Sequence, residues 1–207
     1  MKIAVYGATG NIGSRIVTEA LRRGHHVTAL SRREPTTPVP EGAVWQAGDL
    51  ADADGVAAVA AAHDVVVTAT GPSRVPGEDP FAFAPLIRGA AAVVGATRFF
   101  VVGGAGSLLA APGVRLVDTA EFPEAYKSES LAGAQVLEFL RGADDSLDWG
   151  YLSPAPMIEA GERTGSYAIA DEVPAGNWIS YEDYAVAALD ELEEPAHRRA
   201  RFTVATR

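Results

Sequence analysis

Along the chain, short runs of mostly apolar residues alternate with longer Ala-rich stretches whose apolar positions recur every three to four residues. The short runs are Lys2–Tyr6, His26–Leu30, Ala43–Gln46, Asp64–Thr68, Arg98–Val102, Leu147–Leu152 and Arg201–Val204. They are mostly continuous in hydrophobicity and not alternating, which is how strands covered on both faces read. Between them, Ile12–Arg23, Asp52–Ala62, Phe83–Gly95, Tyr126–Leu140 and Tyr181–Glu193 predict helices. In the first, Ile12, Ile16, Ala20 and Leu21 share a face, Arg22 and Arg23 meet the negative end of the helix dipole, and Gly24 supplies the stop. Ser180-Tyr181-Glu182-Asp183 predicts a capping box on the last. Repeated strand–helix–strand order implies an α/β fold: a doubly wound parallel sheet with right-handed crossovers.

No internal repeat, low-complexity tract or composition break divides residues 1–207, so one domain is expected. Two stretches leave the alternation. Pro72–Pro80 is a turn-rich loop after a strand, and Ser153–Trp178 is too long for a simple connection. Long loops at the carboxyl ends of parallel strands are where substrates sit, so 153–178 reads as a small C-terminal, substrate-side excursion. A formal charge of −10 disfavours nucleic acid and anionic membranes as partners. The absence of cysteine excludes disulfides, thiolate catalysis and Cys-based metal sites. No histidine spacing suggests a metal, and no apolar run is long enough for a membrane span. The chain reads as cytoplasmic, a monomer or homodimer acting on a small molecule.

The chemistry begins at the first turn. Gly7-Ala8-Thr9-Gly10-Asn11-Ile12-Gly13 lies between the first strand and the first helix. Gly7 and Gly10 let the backbone approach a pyrophosphate, Gly13 permits close packing, and the helix N-terminus offers free N–H groups and a positive dipole end. The spacing is G-x-x-G-x-x-G, and its strand–loop–helix context points to a dinucleotide. NAD sites place a carboxylate at the end of the second strand. Here that position reads Leu30-Ser31-Arg32-Arg33, with no acid before Glu34. Ser31 can hydrogen-bond a 2′-phosphate and Arg32 or Arg33 can pair with it, which favours NADP(H) over NAD(H).

GATGNIGSR, the Leu30-Ser31-Arg32 strand end, Gly48-Asp49-Leu50 and Gly103-Gly104-Ala105-Gly106-Ser107-Leu108 resemble the atypical short-chain dehydrogenase/reductases. With Asp148–Pro154 and Gly161–Gly165, the chain is similar to their NAD(P)H-binding, NmrA-like and flavin-reductase-like branch. The resemblance spans nearly the whole chain and implies a Rossmann-type sheet. It also implies that Asp49 and Leu50 flank the adenine, that Ala69, Thr70 and Gly71 run along the cofactor, and that Ser153, Pro154 and Ala155 lie near the nicotinamide. Asp49 could equally cap the next helix, and Leu50 could be core.

The wider superfamily carries Tyr-x-x-x-Lys, in which the lysine lowers the phenol pKa and holds the ribose. This chain has only Lys2 and Lys127, and position 123 is proline, so that dyad is absent. Lys127 in the family lysine's place would orient the ribose. Alternatively Tyr126 supplies the phenol, with Lys127 turned roughly 100° away from it. Ser107 stands where the family contacts substrate or nicotinamide, and the histidine used by flavin-reductase-like relatives near the loop after strand six is missing. Three functions follow as expectations. The leading one is an NADPH-dependent oxidoreductase acting on a flavin, quinone or small carbonyl compound. The alternatives are a non-catalytic NADP(H)-sensing regulator and, least favoured, a sugar-nucleotide epimerase or dehydratase.

Overall fold

In the computed structural model, which describes all 207 residues, all seven expected strands form within two residues of their expected bounds, and five further strands join them. In chain order they are β1 (Lys2–Tyr6), β2 (His26–Ser31), β3 (Ala43–Ala47), β4 (Val65–Thr68), β5 (Arg98–Val102) and β6 (Leu109–Ala111). β7 (Val114–Arg115), β8 (Trp149–Ser153), β9 (Met157–Glu159), β10 (Tyr167–Ala170), β11 (Trp178–Ser180) and β12 (Ala200–Thr206) follow. The α-helices are α1 (Asn11–Arg22), α2 (Ala53–Ala62), α3 (Phe83–Ala91), α4 (Lys127–Arg141) and α5 (Tyr181–Glu193). α3 stops four residues short of expectation, because Val93 and Val94 favour helix weakly and Gly95 takes φ +62° to turn the chain into β5.

The main sheet runs β10-β12-β8-β5-β4-β1-β2-β3. Every pairing in it is parallel except that of edge strand β10 with β12. The expected doubly wound parallel sheet is thus present, with one antiparallel strand added at its edge. Residues 153–178 are corrected: the excursion is not merely a loop. It supplies β9, which pairs with β11, and edge strand β10. Three- and four-residue strands are too short to show a period, and β10's partner lies thirty residues further along the chain.

Apolar side chains alternate to the two faces of the sheet and build two cores. Ile3, Val5, Phe100, Leu152 and Phe202 meet Ile16, Val17 and Ala20 of α1 and Tyr184, Ala188 and Leu189 of α5. On the other face Ala4, Tyr6, Val66, Phe99, Val101, Trp149 and Tyr151 meet α2, α3 and α4. Burying each large side chain contributes on the order of 1.5–3 kcal/mol. Doubly wound parallel sheets place their open crevice at the carboxyl ends of the strands.

Helix ends follow local chemistry. Gly24 takes φ +78°, its N–H donates to the Leu21 carbonyl at 2.9 Å, and the His25 N–H donates to the Ala20 carbonyl at 3.0 Å. This left-handed turn ends α1 as expected. At α5 only half of the capping box forms. Ser180 Oγ accepts from the Asp183 N–H at 2.9 Å, but the Asp183 carboxylate accepts instead from Thr164 Oγ1 at 2.6 Å and the Gly165 N–H at 2.8 Å. That diversion clamps the excursion. Gly161 N–H donates to Glu182, Ser180 Oγ donates to the Glu162 carbonyl, and Arg163 forks onto Glu19 of α1 with two bonds of 2.8 Å.

Candidate functional site

At the carboxyl edge of β1 the chain turns on Gly7, whose φ is +76° and whose N–H donates to the Leu30 carbonyl at 3.0 Å. A Cβ at Gly7 would lie 2.5 Å from the Ala69 carbonyl oxygen, so the loops after β1 and β4 touch here. At Gly13 a Cβ would lie 2.1 Å from the Gly7 carbonyl oxygen. Gly13 therefore lets α1 close onto its own loop, a more local job than the helix–sheet spacing expected of it. Gly10 caps α1 with no side-chain hydrogen bond, and no acid sits in the first turn. Thr9, Gly10 and Asn11 are exposed and Ile12 is half-buried. The first N–H groups of α1 thus face outward beside a positive dipole end. These residues fit a dinucleotide pyrophosphate.

The end of β2 carries the next group. Arg32 and Arg33 are exposed, and neither is paired with a carboxylate. Ser31 is engaged already: its Oγ donates to the Arg33 carbonyl at 2.7 Å and accepts from Trp45 Nε1 at 2.9 Å. Asp49 is exposed and turns its Oδ1 onto the Ala51 N–H at 3.0 Å, while the cap of α2 is Asp52. Leu50 is buried in the core beneath. After β4, Ala69 donates its N–H to the Tyr6 carbonyl at 2.9 Å, Thr70 is half-buried and Gly71 is exposed. Gly7–Gly13, Ser31–Arg33, Asp49 and Ala69–Gly71 thus line one edge of the sheet.

The loop after β8 starts inside the protein. Ser153, Pro154 and Ala155 are all buried, and Ala155 belongs to the core packed against α1 and α5. Ser153 Oγ is enclosed without a partner. Lys127 opens α4, half-exposed, with Nζ 3.6 Å from Glu124 Oε2. Tyr126 precedes it with 55% of its surface exposed. Tyr126 caps the helix that Lys127 begins and the two form no mutual hydrogen bond, so the structure assembles no phenol–lysine dyad. Ser107 is buried, with its hydroxyl making no hydrogen bond of normal geometry.

A group that sequence patterns missed stands next to it. Tyr151 on β8 fills the space beneath Gly103, where a Cβ would come within 2.1 Å of its ring. Its hydroxyl accepts from the Gly104 N–H and donates to the Gly133 carbonyl of α4, both at 3.3 Å. Burial pushes this phenol up, although the Gly104 N–H and nearby Ser107 favour the ionised form. Tyr151 stays neutral at ordinary pH and braces the loop that carries Ser107. In the sequence it is one aromatic in a buried strand, which gives no hint of this. Tyr151→Phe is expected to cost about 1 kcal/mol of stability by stranding the Gly104 N–H, measurable by urea unfolding.

Around the same edge, Arg74 of the 72–80 loop forks onto Glu129 of α4 with bonds of 2.8 and 2.5 Å. Tyr181, at the start of α5, lies 3.5 Å from Asn11 Nδ2 and beneath the Arg15 guanidinium. The histidines stand elsewhere. His63 Nδ1 donates to the Val59 carbonyl and its Nε2 accepts from Thr28, each at 2.7 Å, while His25 and His197 contact Glu193 and Glu191. No three His, Asp or Glu residues converge as a metal site, and no helix is long and apolar enough to cross a membrane. A surface recess of about 390 Å³ is at the opposite edge, lined by Met1, Lys2, His26, His63 and Asp64.

Comparison with known proteins agrees with this geometry. Residues 7–195 match the model of a family described as NAD(P)H-binding, beginning at the first glycine of the loop. The chain belongs to the NAD(P)H-binding family. The uncharacterized protein YwnB of Bacillus subtilis strain 168 is 38% identical over 220 residues, covering 99% of this chain and 98% of that one. A candidate NADH-flavin reductase from Streptococcus pneumoniae TIGR4 is 35% identical over the full length of both chains, with a TM-score of 0.89. A Burkholderia pseudomallei protein described as exported is 43% identical over 99% of both chains, with a TM-score of 0.86. The resemblance read from the sequence is therefore borne out, as a Rossmann-type member of the NAD(P)H-binding family.

Proposed function

We propose that this member of the NAD(P)H-binding family is an NADPH-dependent oxidoreductase that delivers hydride to a planar acceptor, a flavin or quinone, or to a small carbonyl compound. The observation that carries the proposal is the cradle at the end of β1: glycines compressed to backbone contact, an uncapped and acid-free helix start, and two unpaired arginines at the neighbouring strand end. The reduced nicotinamide would supply the hydride. The chain's own part is to bind and orient, with the α1 N–H groups on the pyrophosphate, Arg32 and Arg33 on the 2′-phosphate, and Lys127 towards the ribose. Ser107 supplies a buried hydroxyl beside the reacting end, and solvent protonates a reduced flavin or quinone. Val75, Phe81, Tyr126 and Met157 are exposed on elements leaving the carboxyl edge and suit a flat, partly apolar acceptor. The protein works in the cytoplasm, as a monomer or homodimer.

One feature favours a second reading. With no phenol–lysine dyad and with Lys127 near Glu124, a sensor that binds NADP(H) without turnover keeps every contact of the cradle. NADPH oxidation with FMN and a simple quinone separates the two. Turnover that prefers NADPH over NADH and falls about tenfold or more in Lys127→Ala is the expected result. Tight NADPH binding with no oxidation of any acceptor would replace the reductase by the sensor. Absence of binding by either nucleotide would overturn both.

A further inference from the structure

The segment after β2 carries the two arginines, and very little holds it. Between Arg32 and Val39, through Glu34, Pro35, Thr36, Thr37 and Pro38, the only hydrogen bond is the one from Ser31 Oγ to the Arg33 carbonyl, 2.7 Å long. That hydroxyl is in turn held by the Trp45 indole, whose Nε1–H donates to it at 2.9 Å. Trp45 stands on β3 opposite Ala29, and Ala29 is two residues before Ser31 on β2. Residues two apart on a strand share a face, so the indole reaches diagonally along the sheet to the strand end.

Proton counting then revises the expected role of Ser31. A serine hydroxyl has one proton and two lone pairs. The proton goes to Arg33 and one lone pair takes the indole N–H, so Ser31 has no donor left for a phosphate oxygen. We infer that Trp45, acting through Ser31, is a positioning residue that selects NADPH over NADH by holding the Arg32–Arg33 turn ready for the 2′-phosphate. The indole fixes the rotamer of Ser31, Ser31 pins the Arg33 carbonyl, and the pinned turn fixes where both guanidinium stems leave the backbone. Without the bracket each arginine must be ordered when the nucleotide binds, and that ordering weakens affinity. NAD lacks the group the arginines grip, so its affinity does not depend on the bracket. The inference rests on the NADPH reading above.

The test is a set of dissociation constants for NADP⁺ and NAD⁺, measured by titration calorimetry on wild type, Trp45→Phe, Ser31→Ala, the double variant and Arg32→Ala/Arg33→Ala. Trp45→Phe removes the indole N–H and keeps an aromatic ring. It is expected to weaken NADP⁺ about five- to tenfold while leaving NAD⁺ essentially unchanged. Ser31→Ala should do the same, and the double variant should be no worse than either single one, because both break one bracket. An unchanged NADP⁺/NAD⁺ ratio in Trp45→Phe, an equal loss of both nucleotides, or tighter NADP⁺ binding would overturn the inference. Wild type with no preference, together with an Arg32→Ala/Arg33→Ala variant that alters neither constant, would instead refute the NADPH reading beneath it.

Discussion

Replacing Gly13 with alanine is expected to weaken NADPH binding by about a hundredfold or more, matching the upper part of the 1–3 kcal/mol that overpacked sites cost. The new methyl would lie 2.1 Å from the Gly7 carbonyl oxygen and 2.9 Å from the Gly7 carbonyl carbon. Both are backbone atoms, so no side chain can swing aside to relieve the clash. Either α1 withdraws or the loop lifts, and each movement re-aims the N–H groups offered to the pyrophosphate. Gly89→Ala is the control. It lies within α3 with open space at its Cβ position and should stabilise the fold by about 0.4–1 kcal/mol. Nucleotide titration and thermal melting of both variants check the pair. A Gly13→Ala protein that binds NADPH like wild type would disprove the cradle.

Glu19→Ala is expected to destabilise the protein by about 2–3 kcal/mol at neutral pH, somewhat below the 3–5 kcal/mol for breaking a fully buried pair. Glu19 is buried on α1 and accepts from Arg23 Nε and from both Nε and Nη2 of Arg163, each at 2.8 Å. The loss is softened because Arg23 keeps Asp190 and Glu193, and Arg163 is one-third exposed. The Arg163 hydrogen bonds hold the Glu19 carboxyl below its ordinary value near 4.5, against desolvation and with help from Arg23. A lowered folded value means this stabilisation is complete above the unfolded value and disappears as pH falls through the folded one. The stability gap between wild type and Glu19→Gln should therefore be widest at neutral pH and close below about 4.5. A gap that persists to strong acid would assign the effect to shape and not to charge.

The parts of the fold visible in the sequence were those whose signal is local. Continuous apolar runs marked β1, β2, β4, β5 and β8 because both faces of each are covered. Glycine marked the phosphate turn and the end of α1 because nothing else fits those conformations. What stayed hidden depended on partners distant in sequence. β10 is recognisable as a strand only once β12 is beside it. Asp183 looked like a capping residue until Thr164 and Gly165 claimed its carboxylate. At the site, Gly7 makes the tight turn that its position predicts and Gly13 closes α1 onto its own loop, while Leu50 and Ser153–Ala155 are buried. The bonds of Ser31 were not legible either, because no linear pattern reveals that Trp45, fourteen residues away, holds its hydroxyl. The role of Tyr151 stayed hidden too, since no pattern within the strand shows that its hydroxyl reaches Gly104 and Gly133.

The order of strands also sets an order of assembly. β4, β1, β2 and β3 are adjacent in the sheet and all lie in the first third of the chain, so residues 2–71 can build the glycine cradle without any later strand. β10 cannot dock in the same way. Its only partner in the sheet is β12, synthesised after α5, and the Gly161–Gly165 clamp needs Asp183 and Glu182 of that same late helix. On a ribosome the nucleotide half is therefore released first, and the excursion waits for residues 200–206 to emerge. A chain stalled before β12 would hold a formed phosphate cradle beside an unpaired edge, a nascent species able to bind nucleotide before the opposite edge of the sheet exists.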